Sequence, residues 1–150
     1  MRKSMVLGIA VLWGILCLGG AMAQEKPFSG QTLHMIMIAD PFVSAFEKIN
    51  AKFEEITGAK VIMDSYPYDA THEKEVISLA AGTGDYDVIV YDIPWVGEFV
   101  EGGFVEELEP YIAKEDPALM AMDDYFPVGV EAGKWKGKVY GLPFGLYFVL

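Results

Sequence analysis

A chain of 150 residues with 22 acidic and 11 basic side chains carries a net charge of −11, so it lacks the surplus of Lys and Arg that holds phosphate, and nucleic acid and anionic lipid are excluded as partners. Hydrophobic residues make up 53% of it and aromatic residues 13%, which excludes a disordered chain and leaves ample apolar mass for the core of one domain.

Arg2 and Lys3 precede an uncharged run from Met5 to Gly20, and Ala21-Met22-Ala23 supplies small residues for cleavage. Positive, then apolar, then small is the order of a secretory signal peptide, here residues 1–23, cut after Ala23. The apolar run is shorter than the roughly 20 residues that span a bilayer. The only cysteine, Cys17, follows Leu16, where lipid attachment calls for a small residue, so lipidation is not favoured. The exported chain then has no disulfide and no thiolate chemistry. It loses Arg2 and Lys3, and its net charge falls to about −13. Its expected location is periplasmic or extracellular.

Residues 24–31 read as a polar leader. Leu33–Ile38 is a short apolar run and predicts a buried strand. Asp40 and Pro41 suit the start of a helix, as cap and first residue. Phe42, Phe46, Ile49, Phe53 and Ile56 follow at steps of 4, 3, 4 and 3, one apolar stripe expected to face the core, and Thr57-Gly58 ends the helix. Lys60–Ser65 predicts a second strand, making a β-α-β unit with parallel strands. Tyr66-Pro67-Tyr68-Asp69 reads as a loop. A helix from about Thr71 to Ala81 is expected to turn Val76, Leu79 and Ala80 inward. Val88–Asp92 predicts the third strand. Pro94 to Gly102 predicts a short helix with Val96, Phe99 and Val100 buried. Asp123-Asp124 is expected to cap a helix from Phe126 to Ala132, and Trp135–Tyr140 a hairpin turning at Lys136-Gly137. Strands alternating with helices give an α/β fold with a mainly parallel sheet flanked by helices.

Parallel strands deliver their trailing loops to one edge, where open α/β sheets bind ligands. The three loops are Ala39–Phe42, Tyr66–Asp69 and Asp92–Trp95, and each holds an aromatic ring and an Asp. Sugars offer C–H faces to rings and hydroxyls to carboxylates, so the edge reads as half of a sugar-binding cleft. Asp40 serves equally well as a helix cap, Phe42 as core, and Tyr66 as the close of a turn. Trp95 has the clearest claim to a ligand.

Signals for catalysis are weak. His34 and His72 lie 38 residues apart with no ligand spacing between them. No phosphate loop, nucleophile elbow or zinc-helix motif occurs, and Gly82-Thr83-Gly84 ends a helix when an anion site needs one to begin. No metal and no cofactor is expected.

The segments FEKINAKFEEITGAKV (46–61), ISLAAGTGDYDVIVYDIPWVGEFVEGGFVEEL (77–108) and DDYFPVGV with GKVYGLPF (123–144) resemble the N-terminal part of extracellular solute-binding proteins of family 1, the sugar-binding subunits of ABC importers. The resemblance implies a type II periplasmic binding fold, of which residues 32–142 would be lobe one and 143–150 the start of a hinge-crossing strand, the chain being an N-terminal piece without the second lobe. It implies capture of a sugar, polyol or related solute, delivery to membrane permease subunits, and a monomer when full length. By position it implies ligand contacts at Asp40, Phe42, Tyr66, Asp92, Trp95, Phe144 and Tyr147. Two rival readings are a secreted glycan-acting enzyme using Asp92 in an acid–base pair, and a sensor lobe read by a receptor.

Overall fold

The structure is a computed structural model that describes residues 26–145. The signal peptide and Tyr147 lie outside the described residues.

Strand β1 (Thr32–Ile38) is the middle of a three-stranded sheet, flanked by β2 (Lys60–Tyr66) and β3 (Val88–Ile89) in the order β2-β1-β3. Both pairings are parallel. The central position explains the uninterrupted apolar run of β1: Met35 is 5% exposed, and Ile36 and Met37 are fully buried. Strand β3 is shorter than expected, yet ladder-like bonds continue past its ends. The Asp87 N–H donates to the His34 carbonyl and the Val90 N–H to that of Ile36. The Asp87 carboxylate also accepts from the His34 N–H at 2.9 Å, which ties the entry of β3 to β1.

Helix α1 (Val43–Thr57) joins β1 to β2, and α2 (Tyr68–Ala81) joins β2 to β3. Since the two crossovers run in opposite directions and share one hand, the helices fall on opposite faces of the sheet. Side-chain parity agrees. Asn50 of α1 reaches Met63 on one face of β2, and Lys74 of α2 lies 4.5 Å from the ring of Tyr66 on the other.

Helix α1 ends at Gly58 in the left-handed region (φ 80°), as the Thr57-Gly58 signal requires. Its apolar stripe does not become core. No residue of α1 is buried, Phe42 and Phe46 are half-buried, and Ile49, Phe53 and Ile56 are exposed. The reason is the width of the sheet. The helix lies along β2, an edge strand, so only part of its stripe meets the sheet.

Helix α2 begins three residues earlier than expected and buries different residues. Thr71, Glu75 and Ser78 face inward, while Val76 and Leu79 are half-buried and Ala80 is exposed. This polar stripe has a local logic. The Thr71 hydroxyl donates to the Tyr66 carbonyl at 2.8 Å, and the Ser78 hydroxyl donates to Asp85 at 3.1 Å. Hydrogen-bonding demand at the two ends of the helix overrode apolar periodicity.

After β3 comes a 3-10 turn, Ile93–Trp95, then α3 (Val96–Glu101), which buries Val96 and Phe99 as expected but leaves Val100 half-buried. Two further short helices, α4 (Glu109–Ile112) and α5 (Pro117–Met120), had no clear periodic signal. Helix α6 (Pro127–Ala132) starts at Pro127 behind Phe126, so Asp123-Asp124 does not cap it; those residues form their own 3-10 turn, Met122–Asp124. The hairpin is present. Strands β4 (Lys134–Trp135) and β5 (Lys138–Val139) pair antiparallel around Lys136 (φ 51°) and Gly137 (φ 83°). Both turn residues have positive φ, the geometry that matches the twist of a two-residue hairpin.

Candidate functional site

The strand order reverses direction between β1 and β3, and such a switch point opens a crevice beyond the carboxyl ends of the strands. Three segments frame it here. The chain after β1 supplies Asp40 and Phe42, β2 supplies its last residue Tyr66 and leads into the start of α2, and the chain after β3 supplies Asp92 and Trp95. The parallel register places all three at the same edge.

Asp40 is half-buried and its Oδ1 accepts from the Phe42 N–H at 2.8 Å, holding the turn into α1. Phe42 packs edge-on against Phe144 at 5.5 Å, and Phe46 meets the same ring at 5.2 Å. Phe144, expected at the hinge-crossing segment, is thereby brought to the loop after β1 and stays 45% exposed. The segment from Tyr140 to Gly145 lies across the rim. The Tyr91 hydroxyl donates to the Tyr140 carbonyl at 2.9 Å at one end. At the other, a Cβ on Gly145 would stand 2.8 Å from the Phe42 ring. Beside this segment lies a mainly apolar cavity of about 390 Å³ lined by Phe126, Val128, Pro143 and Phe144, with Asp124 and Tyr125 among its polar edges.

Tyr66 is half-buried, with its carbonyl accepting from the Ala39 N–H at 2.7 Å. It links the first two loops, and its ring lies under Lys74.

Asp92 caps the turn after β3, its Oδ1 accepting from the Ile93 N–H at 2.8 Å. Its Oδ2 accepts from the Tyr68 hydroxyl at 3.0 Å. Trp95, the ring expected to stand free at the rim, is instead 7% exposed. Its neighbours explain this. Tyr68 and His72 each lie 4.7 Å from it, and Phe99 lies 6.2 Å away. The early start of α2 swings Tyr68 and His72 over the indole, and Tyr68, 42% exposed, becomes the outer ring. Sequence reasoning passed over Tyr68 in favour of Tyr66; the available signal was the Tyr68-Asp69 pair directly after Pro67, at a position suited to the first turn of a helix. His72 stacks on Phe99 (5.9 Å, 8° between planes) and meets Glu98 at 2.7 Å, which makes it a structural part of the cluster.

The electrostatics suit binding by neutral hydrogen bonds. Burial and the neighbouring Asp92 carboxylate raise the Tyr68 pKa, with the Trp95 indole N–H opposing them, so the phenol stays a donor at neutral pH. Among the described residues no group of three or more His, Cys, Asp or Glu is placed to hold a metal ion.

The model of the bacterial extracellular solute-binding protein family matches residues 39–150, a span that contains every loop of this rim. The chain belongs to that family. Among solved structures, an ABC-transporter solute-binding protein from Agrobacterium radiobacter K84, in complex with ribitol, is 30% identical with a TM-score of 0.74 over 79% of this chain. A maltotriose-binding protein from Thermus thermophilus, bound with maltotriose, is 26% identical with a TM-score of 0.60 over 74% of this chain. An erythritol/L-threitol-binding protein of Mycolicibacterium smegmatis is 26% identical over 84 residues, 56% of this chain. This family member spans 30% and 28% of the two solved proteins and 18% of the erythritol/L-threitol-binding protein.

Proposed function

We propose that the chain forms lobe one of a substrate-binding protein that captures a sugar, polyol or related small solute outside the cytoplasmic membrane and hands it to ABC permease subunits. The observation that carries this reading is the rim itself. A carboxylate and an exposed ring, Asp92 and Tyr68, stand at the switch point of a parallel sheet in a solute-binding family member. Relatives that hold ribitol and maltotriose support a polyhydroxylated solute. Asp40, Asp92 and Tyr66 offer polar contacts, Phe42, Phe144 and Tyr147 offer apolar ones, and Trp95 forms the floor beneath Tyr68.

A rim of this kind covers one side of a solute, while small-molecule sites bury roughly 70–90% of the ligand surface. High affinity then needs a second surface opposite the rim and a closing motion of the hinge type. The rim alone is expected to bind no tighter than about 1 mM, equivalent to about −4 kcal/mol.

A panel of neutral sugars and polyols, ribitol, mannitol, tagatose and maltotriose among them, tests the reading by NMR titration. Saturable shifts at Tyr68 and Asp92 are expected, and their loss in Asp92→Asn. Hydrolysis of a glycoside panel that Asp92→Asn abolishes would overturn it in favour of an enzyme.

A further inference from the structure

The buried stripe of α2 holds a group that the solute-binding reading leaves unused. Glu75 is fully buried, and neither of its carboxyl oxygens has a hydrogen-bond partner. Its neighbours on the stripe are satisfied. The Thr71 hydroxyl has the Met37, Tyr66 and Pro67 carbonyls within 3.5 Å, and the Ser78 hydroxyl donates to the Asp85 carboxylate. His72, one turn before Glu75, stacks on Phe99 and is bonded to Glu98. Tyr91 packs on the same Phe99 from beyond β3, at 5.3 Å. Its hydroxyl donates to a neutral acceptor, the Tyr140 carbonyl, at 2.9 Å, and a Cβ on Gly141 would stand 2.8 Å from that hydroxyl. Tyr91 thus clamps the start of the segment from Tyr140 to Gly145, which carries Phe144 to Phe42 and Phe46.

We propose that Glu75 and Tyr91 form a proton-operated latch on this segment: with Glu75 neutral the Tyr91 hydroxyl holds the Tyr140 carbonyl, and with Glu75 ionised it turns to the carboxylate and releases the segment. The step is a proton loss. The Glu75 O–H bond breaks, the proton passes to solvent base, and the charge stays on the buried carboxylate. A buried carboxylate without a donor is costly, and a hydrogen bond to it is about twice as strong as one to a neutral carbonyl. Tyr91 is the donor that moves. The Thr71 hydroxyl is surrounded by three carbonyls and the Ser78 hydroxyl already serves a charged acceptor, whereas Tyr91 gives up only a neutral one. Tyr91 also feels the charge, since burial and then the Glu75 carboxylate push its phenol up to about 12. Burial pushes Glu75 up to about 8. Between those values Glu75 is ionised while Tyr91 keeps its proton and can donate it. The other ionisable groups on the elements around Glu75 are His72 and Lys74 on α2, His34, Asp64 and Tyr66 on the sheet face beneath it, and Glu98 on α3. None of them contributes to the shift of Glu75, whose cause is burial alone. The latch belongs to the lobe itself and holds whatever solute the rim takes.

The test is carbon-detected NMR of the whole chain from about pH 6 to 10, which needs no exchanging amide proton. Far-UV circular dichroism follows the fold over the same range. The Glu75 carboxyl carbon should titrate near pH 8, and the Tyr140 carbonyl carbon and the Phe144 ring carbons should shift with the same midpoint. Glu75→Gln keeps a neutral group of the same shape, so the Tyr140 signal should hold its neutral-pH position throughout. Tyr91→Phe removes the donor. Tyr140 should then sit at its released position from the lowest pH, and Glu75 should titrate higher than in the parent, having lost the bond that stabilises its charge. Should Tyr91→Phe not fold, the comparison of parent with Glu75→Gln decides. A Tyr140 signal that stays put while Glu75 titrates, or that moves equally in Glu75→Gln, overturns the inference. So does a Glu75 that stays neutral across the range, or one that titrates only as helix is lost, because a latch needs a folded released state.

Discussion

Glu75 of α2 and Tyr91, just past β3, are coupled across the interior of the lobe. Burial and then the Glu75 carboxylate push the Tyr91 phenol up to about 12. Glu75 itself is fully buried with no hydrogen-bond partner for either carboxyl oxygen, and burial alone pushes it up to about 8. A carboxyl so placed is held neutral near pH 7, since a lone buried charge is far costlier than a neutral acid.

The sign of the resulting pH dependence is fixed. The folded chain keeps the Glu75 proton up to about pH 8, whereas the unfolded chain releases it near the ordinary glutamate value of 4.5. Between those limits the folded state binds more protons, so stability falls as pH rises, by at most about 1.4 kcal/mol per pH unit. Glu75→Gln removes the titration. Urea unfolding of parent and variant from pH 4 to 9 should show the variant gaining on the parent steadily from about pH 5 to 8, with no further gain above. A difference independent of pH would show that Glu75 is not held neutral.

Gly133 and Gly141 touch through the backbone. A Cβ on Gly133 would lie 2.1 Å from the Gly141 carbonyl oxygen, which has no flexible end to move aside. This contact joins the hairpin to the segment that crosses the rim. Gly133→Ala is expected to cost about 1–3 kcal/mol in urea unfolding. It should also disturb the bond from the Tyr140 N–H to the Gly133 carbonyl at 2.9 Å, readable as a shift of the Tyr140 amide. Gly30→Ala, with open space at its Cβ but φ +85, should cost only about 1 kcal/mol from backbone strain.

The uncovered stripe of α1 gives a contrast between two apolar side chains. Ile49 is 59% exposed and Phe99 fully buried. Ile49→Lys is expected to change unfolding free energy by no more than about 0.5 kcal/mol, while Phe99→Ala costs about 3–5 kcal/mol. Thermal midpoints of the two variants check this directly. A large loss from Ile49→Lys would mean that the stripe is covered in solution.

Thr71 ties the start of α2 to the end of β2. Thr71→Val keeps the shape and deletes the hydroxyl that donates to the Tyr66 carbonyl at 2.8 Å. That carbonyl retains the Ala39 N–H, so the expected cost is modest, about 1 kcal/mol. Because Tyr68 lies three residues upstream, hydrogen exchange at the first turn of α2 should quicken more than at its centre.

Periodicity and punctuation in the chain were enough to place β1, α1, β2, the left-handed stop at Gly58 and the hairpin at Lys136-Gly137, since each is set by local sterics or by a repeat within one element. The parallel order of the strands followed from the length of the connections, and with it the edge at which the loops gather. What periodicity could not assign was which face of a helix meets something. Phe53 and Ile56 repeat as core residues do, yet the sheet is too narrow to reach them. Thr71, Glu75 and Ser78 look solvent-facing, yet they are buried because two of them satisfy bonds at the ends of α2. The same distinction decides the rim. Asp92 and Trp95 were legible as a pair past a strand end, but only packing determines which ring is outermost. A start of α2 at Tyr68 places that side chain on the indole and its hydroxyl on Asp92, a contact between residues 24 positions apart that no local pattern encodes.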